Sequence, residues 1–264
     1  MEADEPTAAV EFLARSETRI HILSTLAAAG ELGKDELHDR LDASRTTIGR
    51  NLSALEERGW IAGSNHTYEI TPPGSWVVED FEMLVETVRA ADRFDPVFDC
   101  VDPEDFGFDL RDHEFAVTTA DPSDPLKMVN RHVANLQSAD EIRAVLPLIG
   151  ADAVRTVHDR VVAEGIPVSL AITAAVADAF LTSPEYEAPV DGLRTHDAVE
   201  IRVYEGAVPY YFGLYADSVE FGLDDDGQPS VLLETDAEAV YEWATDEFGR
   251  YFDAATPLDD WERA

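Results

Sequence analysis

One face of a predicted helix over residues 45–58 carries groups that can bind phosphate and base edges. Ser44 stands just before it, where its hydroxyl can accept a backbone N–H of the first turn. Ile48, Leu52 and Leu55 recur at helical spacing and form a buried stripe. The opposite face presents Arg45, Thr46, Gly49, Arg50 and Ser53. Hydroxyls and guanidinium groups suit phosphate oxygens and guanine edges in a major groove, although an ordinary solvated helix explains the pattern equally well on this helix alone.

The flanking segments favour DNA recognition. Residues 18–29 predict a core helix that stops at Gly30, and residues 34–41 predict a short second helix before the tight turn at Asp42 and Ala43. After Gly59 the pattern changes to two short strands about a polar turn. This order is helix, turn, helix and wing, with Asn65, His66 and Thr67 as candidate wing contacts unless the turn is merely solvated.

The motifs SRTTIGRNLSALEERGW and YEITPPGSWVV, within residues 18–78, resemble the winged-helix domains of archaeal transcriptional regulators. Among these the chain is most similar to the FilR-type methanogenesis regulators, which are abundant in haloarchaea. Its segment AVPYYFGLYADSVEFGLDDDGQPSVLLETDAEAVYEWATDEFGRY resembles the end of their α/β effector domain. Pro73 replaces a frequent leucine of the family and is expected only to shift the start of the next helix. The resemblance implies a repressor or activator that binds double-stranded DNA. The candidate DNA-binding residues are Ser44, Arg45, Thr46, Thr47, Arg50, Asn51, Asn65 and His66.

The chain is strongly acidic. It holds 55 acidic and 19 basic residues, a formal charge of −36, and only Lys34 and Lys127 are lysines. Such a surface is typical of halophilic proteins, because screening at about 1 M salt makes the mutual repulsion tolerable. Residues 1–94 carry 9 basic and 18 acidic side chains, whereas residues 95–264 carry 10 and 37. The candidate DNA-reading part is therefore the less acidic one, and the net charge is weak evidence against DNA binding in concentrated salt.

Length and composition indicate a cytoplasmic protein of two domains. The 264 residues are 45% hydrophobic, and no apolar run approaches the roughly 20 residues that span a bilayer. The N-terminus MEADEPTAAVEF lacks the features of a signal peptide, so no membrane partner is expected. Cys100, the single cysteine, excludes an internal disulfide and is expected to be inert beside Asp99 and Asp102.

A helix over residues 74–94 is predicted to connect the domains. Its apolar stripe either packs on its own winged helix or pairs with a second subunit, and two-fold reading of DNA half-sites favours the homodimer. The stripe consists of Val77, Phe81, Leu84, Val85 and Val88. We expect a winged helix-turn-helix domain over residues 1–72, a connecting helix and linker over 73–112, and an α/β domain over 113–264, which gives an α+β / α/β chain.

The C-terminal region alternates strand and helix patterns, which predicts a mainly parallel sheet followed by an antiparallel meander and a closing helix. The predicted strands are 115–119, 142–149, 168–173, 199–205, 210–215, 219–223 and 231–234, with a hairpin turn at 224–227. The predicted helices are 125–138, 151–163, 175–181 and 236–252. The fold that the chain resembles is related to phospholipase-D-like domains.

No catalytic motif is present. The chain lacks a Walker loop, G-x-G-x-x-G, G-x-S-x-G, H-E-x-x-H and the phospholipase D motif H-x-K-x(4)-D, and its seven histidines show no ligand spacing. We therefore predict no enzyme activity, no cofactor and no metal.

A small-molecule effector is expected at the carboxyl ends of the parallel strands, near Thr173 and Tyr204. Lys127, Arg131 and His132 form a basic cluster that suits an anionic metabolite, unless this helix face is merely solvated. Tyr210, Tyr211 and Tyr215 line a pocket or pack the sheet, and packing is favoured.

The sequence thus predicts a DNA-binding transcriptional regulator with a ligand-sensing or oligomerisation domain. Two alternatives remain at this stage: a protein-interaction module that uses the winged helix as a dock, and an enzyme on the α/β domain with an accessory winged helix.

Overall fold

The computed structural model describes residues 4–120, 123–225 and 227–262, which form two compact units that divide between Ala90 and Ala91. The first unit contains four helices, three short strands and most of a long fifth helix. Its elements are α1 (Asp4–Ala14), α2 (Glu17–Ala29), β1 (Leu32–Gly33), α3 (Lys34–Arg40), α4 (Arg45–Glu57), β2 (Ile61–Ser64), β3 (Thr67–Ile70) and α5 (Pro72–Phe98). β3 pairs antiparallel with both β1 and β2.

The core of the first unit is a single apolar cluster. Leu23, Ile48, Leu52 and Leu55 are almost fully buried in it, and Trp60 closes it beside the wing. These are the residues that the helical spacing placed inside, so the three-helix arrangement with a wing is confirmed. Sequence reasoning did not predict β1, because two residues carry no detectable period.

The connecting helix α5 is longer at both ends than predicted. It begins at Pro72, so Pro72 and Pro73 both lie in its first turn, where a missing backbone N–H costs little. At the other end it continues through Pro96 to Phe98, although the predicted helix ended at residue 94. Phe94 and Val97 are buried in the second unit, and their packing offsets the hydrogen bond lost at Pro96.

The second unit has one eight-stranded sheet within the part of the chain that is described. Two short 3₁₀ turns, Pro103–Asp105 and Leu110–Asp112, precede it. The strands are β4 (Ala116–Thr119), β5 (Ile142–Leu146), β6 (Val168–Thr173), β7 (Val199–Tyr204), β8 (Tyr211–Leu214), β9 (Val219–Asp225), β10 (Gln228–Thr235) and β11 (Thr256–Pro257). The helices are α6 (Lys127–Ser138), α7 (Ala151–Glu164), α8 (Ala174–Thr182), α9 (Pro184–Arg194) and α10 (Glu238–Ala254).

The strand order is β11-β7-β6-β5-β8-β9-β10-β4. Only β5, β6 and β7 are mutually parallel, so the expectation of a mainly parallel sheet is wrong. β4 lies antiparallel beside β10 at the far edge instead of next to β5. The meander and the closing helix are confirmed, whereas the predicted turn at 224–227 includes Asp226, which lies outside the described residues.

Strand alternation sends successive side chains to opposite faces of this sheet. Phe212 and Phe221 meet Trp243 of α10 on one face. Tyr211, the neighbour of Phe212, meets His132 of α6 on the other face with ring centroids 5.1 Å apart. The sheet therefore lies between two helical layers.

Candidate functional site

The outer face of α4 carries exposed donors. Ser44 caps the helix, because its Oγ accepts a hydrogen bond from the backbone N–H of Thr47 at 3.1 Å. The Ser44 and Thr47 hydroxyls are 2.9 Å apart, which leaves Thr47 partly engaged. Arg45, Thr46 and Arg50 are exposed and free of such local bonds to the backbone. Ile48, Leu52 and Leu55 anchor the other face, so the position of these donors is fixed.

Asn51 does not belong to this exposed face. Its side chain is 1% exposed, and its Oδ1 accepts a hydrogen bond from Nε of Arg19 at 3.2 Å. Position 51 lies three residues after Ile48, on the edge of the buried stripe. The implied DNA contact at Asn51 is therefore corrected to a structural bond between α4 and α2.

Two charged residues of α3 flank the exposed face of α4. Asp35 Oδ1 lies 3.1 Å from Nη1 of Arg45. The ammonium of Lys34 lies against Gly49, in the space that a Cβ at that position would fill. Lys34, one of only two lysines in the chain, was not predicted to take part in this site. Gly49 thus admits an additional cation to the middle of the donor face.

The wing is a two-residue hairpin. Ser64 pairs with Thr67, and the two residues between them, Asn65 and His66, have φ angles of 48° and 69°. Positive φ at both central positions defines a type I′ turn, which matches the twist of the flanking strands. Both side chains are exposed. Glu56 Oε1 accepts from the backbone N–H of Gly63 at 3.2 Å, so the end of α4 holds the wing.

Two arginines lie over the ring of Phe12, and a third, Arg50, is close enough to Arg19 to repel it. The guanidinium carbons of Arg19 and Arg58 lie 3.8 and 4.0 Å from its ring centroid. Burial lowers the pKa of the Arg19 guanidinium, and repulsion from Arg50 and Arg58 lowers it further. None of the three forms an ion pair with a described carboxylate within 4.0 Å. Positive charge is therefore concentrated beside α4 in a chain that is acidic elsewhere.

The residues predicted to bind an effector lie in different surroundings. Lys127 is exposed, and Nε of Arg131 lies 3.0 Å from both carboxylate oxygens of Glu234. Thr173 Oγ1 accepts from Val176 N at 3.4 Å and caps α8. Tyr204 packs edge-on against Tyr251, with ring centroids 5.0 Å apart.

A cavity of about 380 Å³ lies in the second unit, between the sheet and α6 and α7. Of the five residues predicted to bind an effector, only His132 lines it. Its walls are mainly apolar, and the acidic and basic groups that line it are His132, Asp152, Arg155, Glu185 and Asp224.

The buried carboxylate of Glu220 is hydrogen-bonded to His132. Glu220 is 1% exposed, and three donors converge on its side chain. His132 Nδ1 lies 2.5 Å from Oε1, Asn135 Nδ2 donates to Oε2 at 2.5 Å, and Tyr215 donates to Oε1 at 3.2 Å. These three bonds compensate the desolvation of the carboxylate and fix the histidine ring.

Two tyrosines extend this network. The Tyr211 and Tyr215 hydroxyls are 3.2 Å apart. Burial raises the pKa of both phenols well above the usual value, and neighbouring Glu220 raises it further. Both phenols therefore stay protonated; because Tyr215 donates to Glu220, Tyr211 must donate to Tyr215.

Two glycines make room for the Tyr211 ring. A Cβ at Gly222 would approach Cδ1 of this ring to 3.0 Å, and a Cβ at Gly213 would collide with its hydroxyl. The ring therefore lies along the strands rather than standing on them. Glu220 and Asn135 were not predicted as functional residues. The sequence signal for Glu220 is an acidic residue with two glycines at inward positions of otherwise apolar strands.

Within the described parts of the chain, no three histidine, cysteine or acidic residues come together in a way that could hold a metal ion. Over those same residues, no helix is long and apolar enough to cross a bilayer.

Two family models match separate parts of the chain. Residues 7–93 match the HVO_A0261 N-terminal domain, and residues 125–254 match the middle domain of the methanogenesis regulatory protein FilR1. The two matches show that the chain is related to the FilR-type archaeal regulators. The family resemblance predicted from the sequence is thereby confirmed. Among curated proteins, no match to this FilR-type chain is found.

Three of the similar solved structures share little sequence identity with this chain. TrmBL2, described as an archaeal chromatin protein with a novel mode of DNA binding, is 16% identical with a TM-score of 0.41, over 94% of this chain and 97% of its own. Nuc from Salmonella typhimurium, a phospholipase D family member, is 11% identical with a TM-score of 0.42, over 55% and 98%. NucT from Helicobacter pylori is 14% identical with a TM-score of 0.44, over 55% and 98%.

Proposed function

We propose that this FilR-type chain is a sequence-specific DNA-binding regulator of transcription. The observation that carries the proposal is the exposed face of α4, where Arg45, Thr46 and Arg50 are displayed with Lys34 beside them. Between Asp42 and Glu56 the chain has no acidic residue. Guanidinium groups and hydroxyls on a helix of this kind bind guanine edges and phosphates in a major groove.

The wing and the arginine cluster extend this surface. Asn65 and His66 at the wing tip are positioned to contact a neighbouring stretch of backbone. Arg50 and Arg58, which lack carboxylate partners among the described residues, supply phosphate contacts. Asp35 pairs with Arg45 in the free protein, so DNA must displace this carboxylate before Arg45 can bind a base.

Selection from a random duplex pool tests this function. The full chain is incubated with the pool at several KCl concentrations from about 0.2 to 2 M, and the retained duplexes are sequenced. We expect one enriched motif for the wild type and none for the Arg45→Glu, Arg50→Glu double variant. The control carries Arg111→Glu and Arg250→Glu, two exposed arginines of the second unit, and keeps the motif.

The absence of an enriched motif for the wild type at every salt concentration contradicts sequence-specific DNA binding. Partner capture that survives the double variant then favours the protein-interaction module. If the control variant also loses the enriched motif, the cause is the change in net charge rather than the loss of contacts from α4.

We further propose that the regulator is a homodimer that pairs through α5. Val78 is buried in the first unit, and Val77 and Phe81 pack against that core. Leu84 and Val88 on the same helix are 50% and 53% exposed. Together with the exposed Met83, they leave apolar surface without a partner within the unit, and two-fold pairing would present two copies of α4 to two half-sites.

Light scattering in about 2 M KCl tests the dimer. The wild type is expected at twice the chain mass of 29.1 kDa, and Leu84→Glu with Val88→Glu at the single mass. Val162→Glu, at a residue of α7 that is 60% exposed, introduces the same kind of charge elsewhere and leaves the dimer intact. A wild-type monomer, or a dimer that survives the double variant, contradicts pairing through this helix.

We also propose that the second unit senses a small molecule. Its support is the cavity against α6 and α7, whose volume lies within the usual range for ligand pockets. The basic-cluster hypothesis for an anionic effector loses support, because Arg131 is paired with Glu234. DNA affinity measured with and without a cavity ligand is expected to differ, and equal affinities contradict a sensing role.

A further inference from the structure

We infer that the cavity beside α6 binds an uncharged, mainly apolar small molecule with one hydroxyl group, held at His132. This gives a chemical class to the ligand of the second unit. The regulatory meaning of the site rests on the proposed function, whereas its occupancy does not and can be measured without DNA.

The size and walls of the cavity select a compact apolar body. A volume of about 380 Å³ lies at the lower end of the range of ligand pockets and therefore suits a small ligand. Leu146, Val157, Leu170 and Phe180 are among the residues that line it. Water in such a space lacks hydrogen-bond partners on most sides, so an apolar group that displaces it is favoured.

The charges around the cavity disfavour an anion. Asp152, Glu185 and Asp224 line it, and Arg155 is the single arginine or lysine among the described lining residues. Arg155 is already bound to Asp152. A carboxylate ligand would meet more negative than positive charge and would lose its hydration without gaining a partner.

A cation also lacks a partner inside. Glu220, the buried carboxylate bonded to His132, already accepts hydrogen bonds from His132, Asn135 and Tyr215. The remaining acids lie where strands and helices meet solvent, so an ammonium group in the apolar part would be unpaired.

His132 supplies the polar contact. Its Nδ1 is engaged with Glu220, so Nε2 is the ring nitrogen that remains for a ligand. Among the described residues, nothing bonds to this nitrogen. A hydroxyl group both donates and accepts, and it can therefore satisfy Nε2 whether the ring is neutral or protonated. The Glu220 network holds the ring in place before a ligand arrives, which lowers the ordering cost of binding.

Calorimetric titration of the full chain with phenylbutanol in about 2 M KCl tests this inference. Phenylbutyrate and phenylbutylamine are the matched charged probes. We expect saturable binding of one phenylbutanol per chain, with the two charged probes at least about tenfold weaker. On binding, the Nε2 resonance of His132 in the ¹⁵N-histidine-labelled chain is expected to shift.

Two variants locate the site. Ala144→Leu places a larger side chain in the cavity wall and is expected to abolish binding, whereas Ala134→Leu makes the same change on the solvent side of α6 and keeps it. If Ala144→Leu unfolds, Val129→Phe fills the same cavity from α6. Absence of saturable phenylbutanol binding, equal binding of phenylbutyrate, or binding that survives both cavity-filling variants overturns the inference. None of these outcomes bears on DNA recognition by α4.

Discussion

Glu220 is the residue on which the polar interior of the second unit depends. Every partner of its carboxylate, namely His132, Asn135 and Tyr215, approaches with a donor. A carboxylate can accept all of them, because it carries no hydrogen of its own. An amide of the same shape cannot, because one of its ends is a donor.

We predict that Glu220→Gln destabilises the chain by about 1 to 3 kcal/mol, since the new amide N–H₂ must face an existing donor. Chemical unfolding in about 2 M KCl measures the change. Glu141→Gln is the matched control, because that side chain is 51% exposed and is expected to change stability by less than about 0.5 kcal/mol. Equal effects in the two variants would mean that the three bonds contribute nothing specific.

At the same scale, the sequence predicted surface residues better than buried polar ones. The cap at Ser44 and the exposure of Arg45 and Arg50 follow from local spacing, and the structure places them accordingly. The buried hydrogen bonds of Asn51 and Glu220 could not be predicted from local spacing, because their partners lie 32 and 88 positions away in the chain. Long-range hydrogen bonds leave no period in the sequence.

The turn of the wing holds two non-glycine residues in the left-handed backbone region. His66 has φ at 69°, a region that costs a residue with a Cβ about 1 kcal/mol and costs glycine nothing. Its side chain is exposed and makes no contact that offsets this cost among the described residues.

We therefore predict that His66→Gly raises the unfolding free energy by about 0.5 to 1 kcal/mol while it removes a candidate DNA contact. Glu69→Gly, on the extended strand β3, provides the opposite case and is expected to lower stability by a similar amount. Thermal unfolding and the affinity for the selected duplex are measured on both variants. A destabilising effect of His66→Gly would contradict the type I′ turn.

Elements with a clear period were predicted nearly residue for residue, and others were not. β6 spans Val168–Thr173 as predicted, because a continuous apolar run between turn residues is characteristic of a buried parallel strand. α9 was missed, because Pro184, Pro189 and Gly192 interrupt a stripe that buries only Val190 and Leu193. The position of β4 beside β10 depends on chain topology, which local pattern does not encode.

For the whole molecule, the charge of −36 dominates behaviour in solution. Exposed carboxylates such as Glu104, Glu187 and Asp246 repel one another over distances that salt controls. The screening length falls from about 10 Å at 0.1 M salt to about 3 Å at 1 M. The repulsion therefore weakens the folded state mainly in dilute buffer.

We predict that the melting temperature of the full chain rises steadily between about 0.1 and 2 M KCl. The triple variant Glu104→Gln, Glu187→Gln and Asp246→Asn is expected to melt higher than the wild type at the low-salt end and to show a shallower rise. Scanning calorimetry on both chains measures the two slopes. Identical slopes, or a melting temperature independent of KCl, would contradict repulsion as the cause.

The ring of Tyr211 lies along the sheet over Gly213 and Gly222, so the residues at these three positions constrain one another in evolution. A side chain at position 213 would collide with the hydroxyl of Tyr211, one at position 222 would press on its ring, and a smaller residue at 211 would leave the two glycines with an unfilled space above them. Single substitutions along this route pass through a damaged protein. Descendants of this chain are therefore expected either to keep all three residues or to have exchanged them together.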